Sequence, residues 1–110
     1  MSEAEDLIQK GLEALSQQNY YDAMSYFTKA YNITGNIRQL IMSSDASFKL
    51  ALTYLKNNDL NNWDTFSKNA LDHFKICLLY SNSDEIKRII SEQINKIEEY
   101  RKKIDEIKSQ

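Results

Sequence analysis

The stretch GLEALSQQNYYDAMSYFTKA, residues 11–30, decides the fold. Small and aromatic residues fall at Gly11, Ala14, Tyr20, Ala23, Phe27 and Ala30, the intervals at which two antiparallel helices must touch. The polar SQQN between the two halves supplies the turn. A helical hairpin follows, and the rest of the chain can be read against it.

Upstream, Ser2 is placed to cap a first helix whose first turn carries Glu3, Glu5 and Asp6, acids that favour the positive end of the helix dipole. Its apolar and small residues, from Ala4 through Leu7, Ile8, Gly11 and Leu12 to Leu15, keep a helical period. A second helix is expected over about 20–33, ended by Gly35, which is free to take positive φ. The spacing predicts a third helix over 37–56, stopped by Asn57, Asn58 and Asp59, and a fourth over about 61–80. Ser83 is the N-cap of a fifth, over 84–108, where Ile86, Ile89, Ile90, Ile94, Ile97, Ile104 and Ile107 make a narrow stripe on a charged rod.

Composition agrees. The 110 residues contain no proline and two glycines, which removes the punctuation of β-rich folds. With 42% hydrophobic and 27% charged residues the chain has globular usage and is long enough for one core. We expect one domain over 1–110, with hairpins at 4–34 and 37–80 and a capping helix at 84–108.

Net charge is −2, made of −3 over 1–34, +1 over 35–82 and balance beyond. No segment has the basic excess that phosphate contacts require, so nucleic acid is not an expected partner. The acidic start lacks a leader, no apolar run reaches the roughly 18 residues of a membrane span, and Cys77 has no partner for an internal disulfide. The expectation is a cytoplasmic protein with no direct membrane insertion.

A 40-residue shift lays the first hairpin on the second. Gly11 falls on Ala51, Ala14 on Tyr54, Tyr20 on Leu60, Ala23 on Trp63, Phe27 on Ser67 and Ala30 on Ala70. On these residues the chain resembles the tetratricopeptide repeat family, W-x2-L-G-x2-Y then A-x3-F and a later P, with a period of about 34. The first copy keeps Gly11 and Ala23-x3-Phe27-x2-Ala30, with Leu7, Lys10 and Gly35 where the family has tryptophan, leucine and proline. The second copy keeps Leu50-Ala51-x2-Tyr54, and Trp63 and Ser67 exchange large for small. The resemblance covers residues 4–80 and implies an all-α, right-handed array of two antiparallel hairpins plus a long capping helix, five helices in all. The excess over the family period is most easily absorbed by the third helix.

Residues from Ser43 onward also resemble the microtubule-interacting and trafficking (MIT) domain, three helices ending in a long charged one. The tail IISEQINKIEEYRKKI, with Tyr100 followed by Arg101, is similar to that family's third helix. This resemblance implies a three-helix module in membrane-trafficking or autophagy assemblies, with the first hairpin as an extension.

Catalytic signals are missing. His73 and Cys77 stand four apart on one helix, but no second histidine or cysteine completes a structural zinc site. Nothing marks an oxyanion hole, and two glycines cannot build a phosphate-cradling loop. We expect no enzyme, no metal and no cofactor. Most of the seven tyrosines are expected to pack in the hairpin seams with their hydroxyls at the rim.

Beside the seam, the first helix carries Ile8, Leu12 and Leu15, and the 40-residue mates Phe48, Leu52 and Leu55 are all apolar. In arrays of helical hairpins such first helices line the concave side where peptides bind. These six residues are the expected partner-binding set, gripping apolar side chains of a peptide or helix as an adaptor does. The Lys, Arg and Asn of a tetratricopeptide carboxylate clamp have no counterpart there. A competing expectation is an oligomerising structural protein, a homodimer pairing through Ile90, Ile97 and Ile104, spaced by sevens on the last helix.

Overall fold

The computed structural model describes residues 2–110 and is all-α, with no strand among the described residues. Five helices follow one another: α1 (Glu3–Ser16), α2 (Tyr20–Thr34), α3 (Ile37–Lys56), α4 (Leu60–Tyr80) and α5 (Asp84–Lys108). Each packs against the next, giving a slab of 53 × 31 × 19 Å.

The starts of α1, α3, α4 and α5 are set by side-chain caps, and α2 begins without one. Ser2 Oγ accepts from the Glu5 amide at 3.1 Å, Asn36 Oδ1 from Arg38 at 2.9 Å, Asp59 Oδ1 from Asn62 at 3.2 Å and Ser83 Oγ from Ile86 at 3.3 Å. Between α2 and α3 Gly35 takes φ +65°, and its amide closes on the Tyr31 carbonyl at 2.7 Å.

The two hairpin turns are copies of one another. Gln18 and Asn58 both sit in the left-handed region, at φ +58° and +60°. Asn19 donates its amide to the Ala14 carbonyl at 2.8 Å, and Asp59 does the same to Tyr54 at 2.9 Å. Even the side-chain clasp recurs with its partners exchanged: Asn19 donates to Asp22 at 2.8 Å, and Asn62 to Asp59 at 2.7 Å. The starts of α1 and α3 keep a shorter interval, the one that separates Glu3 from Ile37, whereas α2 and α4, which begin at the turns, keep the longer one from Tyr20 to Leu60. The two registers are reconciled by length. Both helices of the second hairpin are longer, 20 residues against 14 and 21 against 15, so its turn end stands higher by about 9 Å at 1.5 Å per residue. The six residues by which α3 exceeds α1 therefore account for the whole step from 34 to 40, as expected, and α4 adds six more beyond the turn.

The core falls into two clusters. The smaller joins Ala14, Ala23, Phe27 and Ala46, with Ile8, Leu15, Met24 and Met42 at its edge. Gly11 makes this possible, because Phe27 lies flat against its α-carbon. The larger cluster spans α3, α4 and α5 and is built on Phe48, Trp63, Phe74, Cys77, Ile90 and Ile97. Where Phe27 would recur, Ser67 leaves room, and α5 fills it. Arg101 Nη1 donates to Ser67 Oγ at 2.7 Å and to the Asp64 carbonyl at 3.0 Å, while Tyr100 sets its edge against Phe48 and Trp63 at 6.1 and 6.0 Å.

A row of buried serines lets α3 run close between its neighbours. Ser43 shares a 2.7 Å bond with Thr28 of α2, Ser47 donates to the Phe66 carbonyl of α4 at 2.9 Å, and Ser44 to Leu40 at 2.8 Å. Each hydroxyl is satisfied, so small polar residues serve as core at little cost.

Candidate binding groove

The first helix of each hairpin and the capping helix together enclose an apolar hollow of about 310 Å³. Leu15 forms its α1 wall, Ile41, Met42 and Asp45 its α3 wall, and Ile89 and Gln93 its α5 wall, with Phe74 and Ile90 among the lining side chains. Ile89 is 44% exposed and Leu12 49%, whereas Phe74 and Ile90 are buried. Asp45 is held by Lys49 at 3.0 Å, an exposed pair one turn apart, so the hollow presents no isolated charge on that wall.

Of the six residues expected to bind a partner, Leu15 alone lines this hollow. Leu12 stands exposed on α1, and Ile8 is half-buried against the smaller cluster. Phe48 is buried in the larger cluster, with Leu52 and Leu55 half-buried beside it. Ile8 and Leu15 pack against the smaller cluster and the second triplet belongs to the larger, because the 40-residue shift pairs equivalent places in hairpins of unequal height, not neighbours in space. Ile41, Met42 and Ile89 fall outside the expected set. Leu7 and Ile8 stand to Ile41 and Met42 as Glu3 stands to Ile37, but neither lines the hollow, so no repeat interval in the sequence pairs its walls.

On α5, Ile90 and Ile97 are buried against the chain's own hairpin and Ile104 is half-buried. Pairing of two chains through this stripe would first require α5 to leave the hairpin. The tyrosines divide: Tyr54 stacks on Phe66 at 5.6 Å, while Tyr21 and Tyr80 are exposed.

Cys77 is fully buried, and burial pushes its thiol up to about 11 against an ordinary 9.0, despite a hydrogen bond with Ser44. A thiol in that state is a weak nucleophile. His73 leaves its buried Nδ1 without a partner. Among the described residues no three His, Cys, Asp or Glu side chains gather as metal ligands, and no helix is long and apolar enough to cross a membrane.

Comparison with protein-family models, with curated proteins and with solved structures finds no match for this chain.

Proposed function

We propose that the chain is a non-enzymatic protein-interaction module of tetratricopeptide character, an adaptor that holds apolar side chains of a partner's peptide or helix between α1, α3 and α5. The observation that carries the reading is the hollow itself. It offers a preformed apolar cavity with two polar residues, Asp45 and Gln93, on its walls, the usual make-up of a site that anchors a side chain. At about 310 Å³ it accommodates one large aliphatic or aromatic anchor. The matching seam positions Gly11 and Ala51, Ala23 and Trp63, Phe27 and Ser67, and Ala30 and Ala70, all buried, support the hairpin-array reading. A lone thiol fits work in the cytoplasm.

The test uses Ile89, which is exposed, and Leu15, which is half-buried, because Phe48→Asp would put a charge into the core and unfold the chain. Ile89→Asp and Leu15→Asp should each abolish capture of the partner that the unaltered chain retains in pull-down and mass spectrometry, with helical circular dichroism unchanged. Capture that survives both substitutions in folded protein would remove the groove from consideration.

A further inference from the structure

The hollow between α1, α3 and α5 has a polar end. α3 and α5 run parallel across it: Ile41 and Asp45 of α3 line it together with Ile89 and Gln93 of α5, and further along both helices Phe48 meets Tyr100. Asp45 stands one turn beyond Ile41 on its wall, and Gln93 one turn beyond Ile89 on the other. Over about 6 Å the lining therefore passes from a pair of isoleucines to a pair of side chains that accept hydrogen bonds. A carboxylate accepts from more than one donor, so Asp45 can take another although Lys49 already meets its Oδ2 at 3.0 Å. Both Asp45 and Gln93 are half-buried before anything enters.

We infer, on the binding role proposed above, that the anchor held in this hollow is an aromatic ring with a hydrogen-bond donor on its edge, an indole or a phenol. An aliphatic side chain or a plain phenyl ring would fill the isoleucine end and strip the remaining water from Asp45 and Gln93 without replacing it. A lysine has a stem too thin for about 310 Å³, and its ammonium would arrive beside that of Lys49. A ring with an edge donor satisfies both ends at once, its body against Leu15, Ile41 and Ile89 and its N–H or O–H at Asp45 and Gln93. Met42 on the same wall adds a thioether, which packs favourably on aromatic edges.

Titration of the full chain with indole and with p-cresol, followed by amide chemical shifts, should give Kd values on the order of 1 mM, the scale for probes this small. The shifts should centre on Leu15, Met42 and Ile89. Blocking the donor, in N-methylindole and p-methylanisole, should weaken binding at least ~5-fold, and the pair with the larger loss identifies the ring. Asp45→Ala combined with Gln93→Leu should abolish this discrimination while blocked and unblocked probes still bind. Equal binding of blocked and unblocked probes to the native chain, discrimination that survives the double variant, or a preference for N-acetyl-leucinamide overturns the inference and leaves the apolar groove standing. A groove that none of the probes shifts, N-acetyl-leucinamide included, overturns the inference and the binding role together.

Discussion

Replacing Gly11 by alanine tests the packing logic of the first hairpin. In an exposed helix the change would stabilise by about 0.8–1.0 kcal/mol, because alanine loses less backbone freedom. Here the new methyl carbon would lie 2.7 Å from Phe27 Cε1 and Cζ and 3.0 Å from Cδ1. That is about 1 Å inside an ordinary carbon contact. Phe27 is fully buried among Ala14, Ala23 and Ala46, so its ring has no free space to swing into. Overpacking of this kind costs about 1–3 kcal/mol, and the balance is a net loss of roughly 1 kcal/mol. For a chain of this size the melting temperature should fall by about 4–8 °C. Urea unfolding followed by circular dichroism, on Gly11→Ala, Phe27→Leu and the double variant, supplies the check. Shortening the ring relieves the clash, so the double variant should lose less than the two single losses together. A gain in stability for Gly11→Ala, or strict additivity, would refute the reasoning.

The copied turns make a prediction of their own: Gln18, at φ +58°, should be stabilised by about 0.4–1 kcal/mol when changed to glycine, read as a rise in the urea midpoint. Cys77 sets a pH limit. Its folded-state pKa is raised, so the contribution of its buried thiol is complete below the ordinary 9.0 and is lost as pH climbs towards about 11. Stability of Cys77→Ala should be flatter than that of the native chain across this window, and identical slopes would count against the assignment. Finally, the hairpin array predicts that residues 37–110 alone lose cooperative unfolding, because α3 gives up its contacts with α2, including the Thr28–Ser43 bond at 2.7 Å. Cooperative melting of that fragment would favour the three-helix MIT reading instead.

Much of this fold was legible because its signals are local. The absence of proline, the caps at Ser2 and Ser83 and the turn at Gly35 place helix ends within a residue of those observed. Seam positions such as Ala23, Phe27 and Ala30 could be read because a close helix approach needs small residues on a fixed period. Ser43, Ser44 and Ser47 escaped the same reading. They look solvated in sequence, yet all are fully buried, since a hydroxyl that finds a carbonyl or another hydroxyl costs little inside. Likewise, the isoleucine stripe of α5 announces that something must cover it, but periodicity does not say whether the cover is another chain or the chain's own α4.

The groove was the harder feature, and the reason is the unequal height of the hairpins. Two registers coexist, a shorter one between the starts of α1 and α3, from Glu3 to Ile37, and a longer one between turns, as from Gln18 to Asn58. The longer one aligns the residues that close each hairpin, and those are consumed by the core, as Phe48 shows. Other apolar side chains are left exposed. Ile33, Ile76, Leu79, Tyr80 and Ile89 all lie where α2 and α4 end and α3 and α5 begin. An apolar residue that folding does not require is the one whose retention needs another explanation, and five such residues share this end, while Leu12, Tyr21, Tyr100 and Ile107 are exposed elsewhere. Substitutions at that end should therefore alter association more than stability, whereas substitutions at the turn end, around Trp63 and Tyr100, should do the reverse.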